Sequence, residues 1–165
     1  MDRFIKYYKG WKSHDNNSNF LKKLKNKVEN YKIELTEKKY LFEEEVKFLD
    51  EALEVIINCT RLLKYIFIYG FFLCDNANIT LFEYNYQFLQ TQIDKLLEMI
   101  ELQKLSTIIS VLSQNNFKKM FLDYKDHILS LIKSIQTYKN NLINEIDNSL
   151  YDKIDYKRIA KLNDE

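Results

Sequence analysis

The chain has 165 residues, 46% hydrophobic and 30% charged, a balance that excludes a disordered tail or a membrane protein and suits one domain with a sizeable core. Its 25 basic and 24 acidic residues leave a formal net charge of +1, which supplies no overall field to steer it onto nucleic acid or anionic lipid. Proline is absent and glycine occurs twice, so the turn chemistry of β-rich domains is missing and the chain reads as helices joined by Asn, Asp and Ser.

A first helix is expected over residues 2–12, with Phe4, Tyr7, Tyr8 and Trp11 at helical spacing. The short polar side chains of residues 13–18 compete for backbone hydrogen bonds and should end it. A second helix aligns Phe20, Leu24, Val28, Tyr31 and Leu35 on one stripe, and Lys22, Lys23, Lys25 and Lys27 read as its solvated face. The third, over residues 42–74, is the spine. Phe42, Val46, Leu49, Leu53, Ile56, Thr60, Leu63 and Phe67 follow steps of four and three, the pattern of a helix packed nearly antiparallel to its neighbours. From Leu62 it is apolar on all sides but interrupted by Lys64. The run is shorter than the ~20 residues of a membrane span and reads as the buried centre of a bundle.

Residues 75–78 should end the spine, and Thr80-Leu81-Phe82-Glu83 fits a capping box opening a fourth helix that runs to about residue 101. That helix is expected to bury Phe82, Phe88 or Leu89, Ile93, Leu96 and Ile100. Further helices are expected over 106–112 and 117–138, then through Leu142, Ile146, Leu150 and Ile154, with breaks at Asn115-Asn116 and Asn140-Asn141.

Groups that could do chemistry are thin. Cys59 and Cys74 lie in apolar stretches and read as buried thiols of a reducing compartment, cytoplasmic or nuclear. His14 falls in the polar run beside Asp15 and His127 follows Asp126 on a helix, neither with a second ligand at metal spacing. Glu43-Glu44-Glu45 is most simply the first turn of the spine, where negative charge complements the helix dipole. No catalytic residue is nominated, no cofactor or metal is expected in this chain, and neither nucleic acid nor membrane is expected as a partner.

Read in order, Arg3-Phe4-x-x-Tyr7-Tyr8-x-x-Trp11-x-x-His14, Ser18-x-Phe20, Glu45-Val46-x-Phe48-Leu49-x-x-Ala52, Cys59, Leu63-x-Tyr65-x-Phe67, Phe71-Phe72-Leu73 and Phe82-Glu83 with Leu89 form one succession. It resembles the Ariadne domain, which follows the RING, in-between-RING, RING module of Ariadne-type (RBR) ubiquitin ligases. The resemblance covers residues 1 to about 101. It implies an all-α, elongated multi-helix bundle with a long central helix, spanning residues 1–165 as one domain.

The resemblance also implies a regulatory role: covering the catalytic cysteine of the second RING until a neddylated cullin–RING ligase releases it. The parent would be a ubiquitin-protein transferase. Its catalytic cysteine, zinc ligands and docking of the ubiquitin-conjugating enzyme would lie upstream of Met1, making this an excised C-terminal domain. A Phe-Glu pair early in the family's second helix and an acid on its fourth contact the second RING. The matching positions are Phe20, Leu21 and Asp94, with Leu21 departing from the acid. Thr60 stands where the family usually has Arg after the spine cysteine, and the tryptophan before the Glu-Val pair is missing. Without the resemblance, the alternative is an unrelated helical scaffold or coiled-coil-like interaction protein whose aromatic stripes fill a core.

Overall fold

The computed structural model describes residues 2–15, 18–39, 41–73, 77–101, 106–107 and 116–149. The described residues are arranged as α1 (Asp2–Asp15), α2 (Ser18–Lys39), α3 (Glu43–Val46), α4 (Phe48–Phe72), α5 (Ala77–Glu101) and α6 (Phe117–Ser149). The fold is all-α, with a long central helix.

The spine is one helix nearly interrupted. Lys47 separates α3 from α4 but keeps helical dihedrals (φ −58°, ψ −28°), and the amides of Asp50 and Glu51 both donate to its carbonyl. The expected seam is buried from Val46 to Phe67. Its first member is not: Phe42 is 77% exposed, because its extended backbone (φ −77°, ψ 152°) places it just outside the helix as the N-terminal cap residue. There the Glu45 carboxylate accepts from the Phe42 amide at 2.9 Å, so the acidic run caps the helix as well as complementing its dipole.

α4 is central because it packs against α1, α2, α5 and α6. Its last turns are only partly enclosed: Ile66, Phe67 and Gly70 are buried, whereas Tyr65 and Ile68 face outward. By length and composition Glu43–Phe72 is apolar enough to cross a membrane, since the turns before Leu62 extend the run beyond the length expected for it. In this fold one face of it, from Val46 to Phe67, lies in the core.

α6 runs antiparallel to α5 and parallel to α4. Phe48 meets Phe121 and Tyr124 edge-on at 5.9 and 6.1 Å, Phe88 lies 4.2 Å from the Tyr138 ring, and Asn85 Nδ2 donates to Glu145 at 3.0 Å. The break expected at Asn140-Asn141 does not occur. Asparagine costs a helix only a few tenths of a kcal/mol relative to good formers, and both residues are exposed, while Tyr138 and Leu142 on either side bury against the core. The remaining expectations for 108–115 and 150–154 lie outside the described residues.

α1 extends to Asp15, three residues beyond its expected end, so His14 sits on helical backbone rather than in a loop. α2 buries Leu24, Val28 and Leu35 as its stripe requires. Lys27, expected on the solvated face, instead donates to the carbonyl of Glu101 at 2.6 Å, satisfying the open C-terminal end of α5. Lys32 pairs with Asp50 at 2.9 Å and holds α2 to α4.

Candidate functional site

Glu83 departs most from its expected role. α5 begins at Ala77, so Thr80 lies within the helix as an exposed residue and cannot cap it, and the Glu83 carboxylate turns away from its own backbone. It accepts from Lys6 Nζ at 2.6 Å and from the Tyr7 hydroxyl at 2.7 Å, joining α1 to α5. One residue group earlier, the Arg3 guanidinium donates to the carbonyls of Gly70 and Leu73 at 2.7 and 2.5 Å, capping the end of α4. α1 is therefore fastened across two helices by a side-chain clamp.

Burial alone would raise the Glu83 pKa, but donation from Lys6 and Tyr7 outweighs it and holds the carboxyl below the usual range. Tyr7 is pushed up, first by burial and then by the bond to Glu83. A carboxyl with a depressed folded-state pKa adds stability that is present above its unfolded value of ~4.3 and is lost as pH falls through the folded one. Glu83→Gln is expected to destabilise the chain by about 1–2 kcal/mol at neutral pH. The difference from the parent chain should close as pH falls below ~4. Urea unfolding of both chains at neutral and acid pH measures this; an equal gap at both would mean the charge is not engaged.

Beside this clamp, α1 and α4 leave an open groove of about 220 Å³. Phe4, Tyr8 and Trp11 line it from α1, Phe67, Ile68 and Phe71 from α4, and Tyr7 closes its floor. Phe4 stacks on Tyr8 at 5.6 Å and meets Phe71 edge-on at 6.0 Å, so the walls are held by ring contacts.

The three residues implicated by resemblance are placed as follows. Phe20 and Leu21 are half-buried at the start of α2, packed against the core. Asp94 is exposed on α5, where the Gln90 side chain donates to it at 3.4 Å. Among the described residues, no hydrogen bond or ion pair joins Asp94 to either. Cys59 is buried on α4, and burial pushes its thiol up to about 11, the opposite of a nucleophile's environment. His127 is exposed on α6. Among the described residues no group of three His, Cys, Asp or Glu side chains is placed to hold a metal ion.

No protein-family model matches the chain. It does match three Arabidopsis thaliana proteins named as probable E3 ubiquitin-protein ligases ARI7, ARI8 and ARI9, at 25%, 26% and 26% identity. Each alignment takes in 92% of this chain. This similarity supports an Ariadne-related domain. It spans about a quarter of the length of these relatives, with 27%, 27% and 28% of each covered. At that coverage the alignments extend past the motifs that end near residue 101.

Proposed function

We propose that this chain is the regulatory and partner-docking C-terminal domain of an RBR ubiquitin-protein ligase. In this reading it covers the catalytic second RING until a neddylated cullin–RING ligase releases it. The observation that carries the reading is the alignment itself, which takes in nearly the whole chain but only about a quarter of proteins named as E3 ligases. The chain acts by shape and does no chemistry; zinc and the catalytic cysteine belong to upstream modules of the parent. Closed and open arrangements would differ by a few kcal/mol, and a partner that binds only the open one shifts the population.

Half-burial of Phe20 and Leu21 and exposure of Asp94 suit a contact in which an apolar shoulder and a charge meet the second RING. Deleting residues 1–165 from the parent ligase is expected to raise its self-ubiquitination several-fold; unchanged activity overturns the inhibitory role. Phe20→Ala combined with Asp94→Ala is expected to weaken binding of this domain to the separately expressed second RING by about tenfold or more. Helical circular dichroism should be retained. Its loss in the double variant would assign these residues to the core.

A further inference from the structure

The chain's two glycines fall on opposite sides of a single contact. Tyr7-Tyr8-Lys9-Gly10 on α1 and Phe67-Ile68-Tyr69-Gly70 on α4 each set a ring three residues before a glycine. α1 and α4 run antiparallel, with Arg3 at the carbonyls of Gly70 and Leu73 and Trp11 beside Lys64. The pattern therefore closes on itself: the Tyr7 ring takes the space that a side chain at Gly70 would need, and the Phe67 ring takes that at Gly10. The two rings meet edge-on at 6.3 Å between these seats. A slide of α1 along α4 would bring a β-carbon onto one ring or the other, so the contact holds as a whole or is given up as a whole. Arg3, Lys6 and Tyr7 fasten the same turns to α4 and α5.

Stability is shared unequally across this contact. Among the described residues Tyr7 is the one buried side chain of α1, and Phe4, Tyr8, Lys9 and Lys12 are exposed. At 14 residues, with a glycine inside, α1 is marginal as an isolated helix in water. It takes its helical form from α4. α4 does not depend on α1 in return: it packs also on α2, α5 and α6, and buries Leu49, Ala52 and Ile56 well before the turns that α1 covers. Phe67 and Phe82 each contact the Tyr86 ring, at 5.2 and 6.0 Å, so α4 and α5 are joined without α1.

We propose that α1 is a strap that undocks from α4 and α5 in one cooperative step and loses its helical form as it leaves, while α2 to α6 stay folded. Undocking uncovers the Phe67 ring and the Gly70 seat and frees the Glu83 carboxylate. The chain thus holds a second surface beneath its first helix, hidden while the strap is closed. The strap rests on residues other than Phe20, Leu21 and Asp94 and does not depend on the regulatory reading.

Native-state hydrogen exchange of the whole 165-residue chain, followed residue by residue, tests this. Amides of residues 6–13 are expected to share one opening constant, about a hundredfold or more larger than that of the buried turn at residues 52–56. In urea below the unfolding transition the α1 constant should rise with a shallow slope, because undocking exposes a small part of the surface that global unfolding exposes. Ile128→Val, a change in the buried face of α6, should raise the constant at residues 52–56 several-fold and leave that of α1 as it was, since α6 stays folded when the strap opens. Tyr7→Phe keeps the ring, removes the hydroxyl bonded to Glu83 and should raise the α1 constant about tenfold. Equal constants for α1 and residues 52–56, constants graded inward from residue 6 as simple fraying gives, or an α1 constant that rises with Ile128→Val overturns the proposal. So does an α1 constant unmoved by Tyr7→Phe. Should either variant not fold, the constants and urea slopes of the unaltered chain decide the matter.

Discussion

Phe82→Ala is expected to lower the stability of the chain by about 3–5 kcal/mol. Phe82 is 2% exposed, and its ring lies 5.4 Å from that of Tyr69 and 6.0 Å from that of Tyr86, so it wedges the first turns of α5 against α4. Alanine removes those contacts and leaves a cavity walled by rings that are themselves anchored: Tyr86 against Phe67 at 5.2 Å, and Phe67 against Tyr7 at 6.3 Å. Such a site cannot collapse easily, which places the cost toward the upper end of the range for buried aromatic truncations. Urea unfolding should show a lower midpoint with an unchanged slope. Hydrogen exchange should speed first in α1 and the start of α5, the elements this ring holds together. A loss below about 1 kcal/mol would mean that the α4–α5 contact is not packed as described.

Gly70→Ala should also destabilise, by about 1–3 kcal/mol, although alanine is the better helix former by ~1 kcal/mol and Gly70 lies inside α4. A methyl group built there falls on the Tyr7 ring and within 2.9 Å of the Phe82 ring. Neither ring can withdraw cheaply: Tyr7 is fastened through its hydroxyl to Glu83, and Phe82 is enclosed. α1 must shift outward, weakening the Arg3 and Glu83 bonds that hold it. The thermal midpoint should fall, and combining the change with Phe82→Ala should cost less than the sum of the two, because the smaller side chain vacates the space the methyl needs. A raised midpoint for Gly70→Ala alone would show that α1 does not approach α4 this closely.

The second result turns on a contact between Gly70 and Tyr7, far apart in the sequence, and that separation marks what was legible beforehand. The stripe of α2, the seam from Val46 to Phe67 and the buried positions of α5 follow from a local rule: apolar residues spaced three and four apart lie on one face of a helix wherever that helix is. Without proline, and with two glycines, nothing in the chain opposed that rule. The helix ends were less legible. Thr80 has the form of a cap and Asn140-Asn141 that of a break, but each preference amounts to about 1 kcal/mol or less, and packing on either side overrode it. Phe42 has the period of the seam and stands outside it, because period says which face a residue shares and not whether the helix has begun.

The candidate site divides in the same way. Phe20, Leu21 and Asp94 were implicated by resemblance alone, and their own spacing in the sequence marks no surface. The clamp of Arg3, Tyr7 and Glu83 and the aromatic groove left no mark in the composition, because both exist only where α1 folds against α4 and α5. From its residues alone, this chain determined that it would be helical and which face of most helices would turn inward, since a single turn of backbone is enough to express that. Which helices would meet and which groups the Arg3, Lys6 and Tyr7 side chains would bind were decided only in the tertiary structure. Those interactions join groups 67 to 77 residues apart, and their energy exists only once the chain has closed on itself.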